Sequence, residues 1–163
     1  MARILSALLI FTFCVVAQAR NLESEFEKAS LLLGKKKIHA YVADDDHKRT
    51  QGLMFIESLP KDTGMIFVFE TSRYLNFWMK DTLIPLSIGF FDEKGVLIDV
   101  QEMPVNESLI AKVAPSYSSK GESVFALEME KGWFAKHKIK PGTRLKLVSN
   151  VKSRLLSAKL KAK

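Results

Sequence analysis

Five consecutive positions, Trp78 to Thr82, hold an aromatic ring, a cation, an acid and a hydroxyl. On a strand, Phe77, Met79 and Asp81 point one way while Trp78 and Lys80 point the other. A flat ring beside an ammonium group can stack on a small polar or anionic ligand and hold its charge. Asp81 and Thr82 would orient its hydroxyls. Arg49, three residues before Gly52, adds a guanidinium able to fork onto a carboxylate or phosphate. Arg49, Trp78, Lys80, Asp81 and Thr82 are therefore the candidate ligand-binding residues. The same residues also admit a structural role. Phe77 and Met79 would fill a core, Trp78 a second layer, and Arg49 would tie its helix to Asp81 or Glu128.

Other chemistries have less support. Met54, Met65, Met79, Met103 and Met129 could carry copper through thioethers, but they form no local cluster and methionine is ordinary core filler. His39, His47 and His137 are scattered. Asp44-Asp45-Asp46 lacks the later oxygen donors of a calcium loop and reads as a turn or helix cap. No metal and no cofactor is expected. Ser87, Ser108, Ser116 and Ser118 offer hydroxyls, but no motif pairs one with a histidine. A glycosidase would need two carboxylates roughly 5–10 Å apart, which Asp81 with Glu128 or Asp99 would supply only if the fold converges them. A noncatalytic binding module leads this reading. A metal-independent hydrolase of envelope polymers follows, then a structural or protein-interaction module.

The elements that must position these residues are mostly strands. Lys36 to Val42 alternates Ile38, Ala40 and Val42 against lysines and His39. HKRTQGLMF then predicts one or two helical turns. From Gly64 onward, GMIFVFE, YLNFWM, PLSIGFFD, VLIDVQEM and SVFALEME are short and rich in aromatic and branched residues. Phe91 to Val96 reads as a hairpin closing on Gly95. In SVFALEME, Val124, Ala126 and Glu128 alternate against Phe125, Leu127 and Met129, so one face is expected to be wetter than the other. Trp133 to Lys138 predicts a short helix, and Pro141-Gly142 a turn into a last strand over Thr143 to Val148. Leu22, Phe26, Ala29 and Leu33 recur at helical spacing before Gly34, so residues 20–34 read as a helical lead-in. Without long crossover helices, the fold class is mainly β: a compact antiparallel sandwich or partly closed barrel with short helical decorations.

Residues 1–19 have the form of a secretory signal, with Arg3, an apolar run from Ile4 to Val16, and Ala17-Gln18-Ala19 before the cleavage point. Export to the periplasm or beyond the cell is expected. The lone Cys14 would leave with that segment, so the mature chain has no disulfide. Residues 35–151 form one β-rich domain, close to neutral, and 152–163 form a basic tail. That tail holds Lys152, Arg154, Lys159, Lys161 and Lys163 with no acid. It reads as a solvated terminus, or else as a weak membrane-surface contact if Leu155, Leu156 and Leu160 share a helix face. Nucleic acid is not an expected partner, because the domain lacks a basic surplus interleaved with aromatics. Nothing in the sequence sets an oligomeric state.

RTQGLM at 49–54, GMIFVF at 64–69 and FWMKDTLIPL at 77–86 resemble the prokaryotic domain of unknown function 192 family, with a looser block over LEMEKGWFAKHKIKPG at 127–142. The resemblance spans roughly 35–149. It implies a small, mainly β and often exported domain with no settled activity. It also implies two departures: asparagine is usual where this chain has Asp81, and aspartate is common where it has Ser87.

Overall fold

The computed structural model describes residues 20–105, 115–149 and 151–161. The signal segment 1–19 and Ser108 lie outside them. Among the described residues the order is α1 (Leu22–Glu25), β1 (Lys28–Leu33), β2 (Lys36–Ala43), α2 (Asp46–Gln51), β3 (Thr63–Arg73), β4 (Asn76–Trp78), β5 (Leu86–Phe91) and β6 (Leu97–Met103). Then come β7 (Ser116–Ser118), β8 (Ser123–Glu130), α3 (Trp133–Lys136), β9 (Leu145–Leu147) and α4 (Arg154–Lys161).

Seven strands form one curled half-barrel sheet in the order β6-β5-β8-β3-β2-β1-β9, while β4 and β7 pair separately. The mainly β fold with short helices is as expected. One pairing departs from an all-antiparallel sheet: β2 and β3 run parallel. A parallel pair needs a crossover, and α2 with its following loop supplies it. That crossover sets Arg49 and Gly52 over one face of the sheet.

Both faces are covered. Leu31, Ile38, Ile66, Phe125, Leu127 and Phe134 belong to one core cluster. Tyr41, Met65, Phe67, Ile88, Phe90 and Ala126 belong to the other, which Leu53, Ile56 and Met79 roof over. Strand β8 lies between β5 and β3, and every residue from Ser123 to Met129 is buried. The expected wetter face of SVFALEME does not exist. Its Ala126 and Glu128 lie beneath the α2 crossover instead.

The lead-in is mostly strand rather than helix. Only Leu22–Glu25 is helical, and β1 pairs with β2 on one side and β9 on the other. Ala29, Leu31 and Leu33 are fully buried with the period of a strand, and two sheet neighbours outweigh a weak helical spacing. The basic tail is likewise not a solvated terminus where it is described. Leu156 and Leu160 are buried in the first core cluster, with Leu155 packed against it. Ser153 caps α4 through Leu156 N–H at 3.1 Å, and Glu27 accepts from the backbone N–H groups of Lys152 and Ser153.

Other local expectations are met. Asp45 caps α2 by accepting from Lys48 N–H at 2.8 Å. Asp92 closes the β5–β6 hairpin by accepting from Lys94 and Val96 N–H, each at 2.8 Å. Trp133 at the start of α3 donates its indole N–H to Asp62 at 3.0 Å. That bond, with Lys36 nearby, holds the Asp62 carboxyl below its ordinary pKa.

Candidate functional site

Phe77 decides where Trp78 points. Its ring meets Phe67, Phe69 and Phe90 edge-on, with centroids 4.8, 6.4 and 5.9 Å away. These contacts pin β4 against the sheet. Alternation along the strand then turns Trp78 outward, and it remains 51% exposed. Lys80 follows on the same side, its ammonium 5.4 Å from the Trp78 ring centroid. Met79 is buried in the core. The pairing of ring and cation read from the spacing is therefore present, and the second-layer role for Trp78 is not.

Arg49 has a structural job and reaches the site as well. One of its amino groups donates to the Val68 carbonyl at 2.7 Å and the other to Asp46 at 2.6 Å. Its guanidinium lies 5.1 Å from the Phe69 ring centroid. The tie runs to Val68 and Asp46, not to Asp81 or Glu128. Asp46 is almost fully exposed, so that ion pair is screened and weak. Arginine carries five N–H donors in all, which leaves several for a ligand.

Two adjoining hollows share Arg49, Thr50, Phe67, Phe77 and Trp78. The outer one is a groove of about 230 Å³, completed by Asp46, Phe69, Arg73 and Asn76. Arg73 stacks on Phe69 at 4.8 Å and has no acidic partner among the described residues. The inner one is a slot of about 30 Å³ that Lys80, Thr82 and Glu128 also line. Thr82 is buried, its hydroxyl donating to the Lys80 carbonyl at 3.2 Å. A wider depression of about 550 Å³ lies along Asn21–Glu23 and Phe55–Pro60. Its cation, Arg20, is already engaged by backbone carbonyls.

Glu128 is the residue that sequence reasoning treated only as an accessory. It is 5% exposed, and no described residue hydrogen-bonds or ion-pairs with its carboxyl. Strands β3 and β5 place Met65 and Ile88 directly across from it. Burial in these apolar surroundings pushes its pKa up to about 8, so it is mostly a neutral acid at pH 7. No described side-chain oxygen is fully enclosed without a partner, so the Glu128 carboxyl reaches the slot. Its signal was a lone acid inside the apolar run of β8. Arg73 carried no comparable signal, because only a bulge in β3 after Val68 brings it to the groove.

Asp81 does not line either hollow. It sits at φ 52°, a left-handed conformation that asparagine adopts readily. The asparagine that the family resemblance implies at this position would suit that conformation. Its carbonyl accepts from Phe55 N–H at 2.8 Å, and Phe55 is itself at φ 61°. Two strained residues on neighbouring loops thus clasp each other. Ser87 is also away from the hollows. Its hydroxyl accepts from Gly132 N–H at 2.7 Å and donates to Glu102. Ser87 with Glu102 thereby fills the acceptor role that a single aspartate would serve.

The slot's wall turns at Gly52, whose φ of 45° and ψ of −136° suit glycine. Arg20 donates to the carbonyls of Gly52 and Met54 at 2.9 and 3.1 Å and ion-pairs with Glu25 at 2.7 Å. Arg20→Ala should leave the sheet intact and loosen this turn. We expect about 1–2 kcal/mol of destabilisation, with faster amide hydrogen exchange over Gln51–Met54 as the readout. Unchanged exchange there would mean that Arg20 does not hold the turn.

Against known proteins, residues 30–147 match the family model of domain of unknown function 192, described as "Uncharacterized ACR". No curated protein matches the chain. Among solved structures, it is similar to a candidate transcription regulator from Sinorhizobium meliloti 1021. The identity is 27% and the TM-score 0.68, over 75% of this chain and 95% of that one. It is also similar in fold to a protein of unknown function from Novosphingobium aromaticivorans DSM 12444, with 24% identity and a TM-score of 0.63. That match covers 74% of this chain and 84% of the other.

Proposed function

We propose that this chain, which belongs to the domain of unknown function 192 family, is an exported, noncatalytic binding module for a small polar or anionic unit of an envelope polymer. The observation that carries this reading is the 230 Å³ groove, where Arg49, Arg73 and an outward-facing Trp78 surround an open space. That volume is below the roughly 300–1,000 Å³ of sites for drug-sized ligands and suits one sugar-sized unit. Arg73, without an acidic partner among the described residues, and Arg49, whose tie to the exposed Asp46 is screened, favour an acidic sugar, and Trp78 offers its ring a flat apolar face. The form of residues 1–19 supports an envelope setting. A weak contact of the basic C-terminal residues with anionic lipid fits the same setting.

The regulator description of the Sinorhizobium protein is not carried over, because this chain's basic surplus is concentrated in residues 152–163. The hydrolase reading draws some support from Glu128, a buried acid in a cleft. It also needs a second carboxylate, and among the described residues Glu128 is the only acid lining the slot.

Thermal shift and calorimetry would test the binding reading against N-acetylmuramic acid, galacturonic acid, cell-wall fragments and inorganic phosphate. At least one acidic sugar or fragment should raise the unfolding midpoint saturably. Trp78→Ala should weaken that binding about three- to tenfold, and Arg73→Ala about tenfold or more. No saturable shift from any acidic sugar or wall fragment would overturn this reading in favour of an interaction module.

A further inference from the structure

The groove continues inward to a slot with a definite chemical character. At about 30 Å³ it has room for a water-sized group, so it accepts one substituent of a ligand and not the ligand itself. Phe67 and Phe77 wall it, and the Glu128 carboxyl faces it without a protein partner. A carboxyl with no protein partner, reached only through a water-sized slot, is poorly solvated and carries a cost, which a leucine in the middle of β8 would avoid. A ligand group that entered the slot would satisfy it.

We propose that Glu128, as a neutral carboxylic acid, is the specificity group of the groove: it donates its O–H to one uncharged oxygen of the ligand, a hydroxyl or a carbonyl, seated in the slot. This rests on the binding reading of the outer groove and deepens it. The ligand class becomes an acidic sugar whose anionic group faces Arg49 and Arg73 while a hydroxyl or acyl oxygen enters beneath Trp78. The two hollows share that wall, so one ring can span them.

Every group facing Glu128 bears on its proton. Arg49 from α2 and Lys80 from the loop after β4 are the charged residues lining the slot. Across the sheet β3 and β5 offer Met65 and Ile88, which do not titrate. With burial holding the acid near 8, the donor is present at pH 7 and mostly lost at pH 9. N-acetylmuramic and galacturonic acids keep their own charge constant over that interval.

The test combines two readouts. In the free protein, carbon NMR of the glutamate carboxyls should show one group titrating near pH 8 that is absent from E128Q. In calorimetry, N-acetylmuramic or galacturonic acid should bind the wild-type protein about tenfold more weakly at pH 9 than at pH 7. Binding to E128Q, which keeps a neutral donor and acceptor, should not vary with pH. E128Q also retains the α-amino group of a chain beginning at Arg20, which titrates in the same range. E128L, shown to be folded, should lose tenfold or more at pH 7. A Glu128 carboxyl titrating in the ordinary range would overturn the inference. So would matching pH profiles for wild-type and E128Q binding, and both results would leave the outer groove standing. No saturable binding of any acidic sugar or wall fragment, alongside a titration near 8, would remove the groove reading and this inference together.

Discussion

Glu128→Gln should stabilise the protein, increasingly so as pH rises from about 4.5 to about 8. The carboxyl has a pKa near 4.5 when exposed and about 8 in its apolar enclosure. Between those values the folded state holds a proton that the unfolded chain releases, so stability falls as pH rises through the interval. The full span corresponds to roughly 5 kcal/mol, and about 3 kcal/mol of it is already lost at pH 7. A glutamine in the same place does not titrate and carries no such penalty. The midpoint difference between variant and wild type should be near zero at pH 4, on the order of 10 °C at pH 7, and constant above pH 8. Parallel curves across the whole range would mean that Glu128 is ionised in the folded state. A substitution that stabilises the fold while removing its pH-dependent recognition is the expected trade at a binding residue.

Much of the fold was legible because its local signals agree. The hairpin between β5 and β6, the Asp45 cap and the run of short strands each rest on neighbours in sequence. The lead-in was not legible. Ala29 and Leu33 satisfy both a helical repeat and a strand repeat, and the choice between them rests on β2 and β9, the latter more than a hundred residues away. The same limit applies to the parallel pairing of β2 with β3, which is a property of the sheet and not of either strand. In the tail, the positions of Leu156 and Leu160 allowed a helix face, but only the assembled core shows that face buried.

The site divides along the same line. The opposite orientations of Phe77 and Trp78 follow from strand alternation, and the sequence carries that alternation openly. Lys80 and Thr82 line the slot as their spacing allowed, while Asp81 turns away because the chain reverses there in a left-handed conformation. Glu128 and Arg73 lie far along the chain from Trp78 or across a bulge. Their arrival at one cleft is set by β8 lying next to β3 in the sheet. A buried acid and a surface acid look alike in sequence until the strand's neighbours are known.

That adjacency of β3 and β8 rests on one small residue, and replacing Gly64 with alanine should prevent the protein from folding. A Cβ built there would lie 2.0 Å from the Glu128 carbonyl oxygen and 2.5 Å from the Met129 sulfur. Methionine could swing away, but the carbonyl belongs to a strand held on its other side by β5. Gly64 is equally confined by its pairing with Ala40 of β2. Neither strand can retreat without breaking a ladder, so the cost should exceed about 4 kcal/mol, a large share of a typical domain's stability. Gly64→Ala is expected in the insoluble fraction, and adding Met129→Ala should not rescue it because the carbonyl clash remains. Gly121→Ala supplies the comparison. There a Cβ would meet only Ile98, at 3.4 Å, and the change should cost no more than about 1 kcal/mol. A soluble, cooperatively unfolding Gly64→Ala protein would show that β8 can shift against β3. The same shift would move Glu128, so its carboxyl titration should then fall back toward the ordinary range.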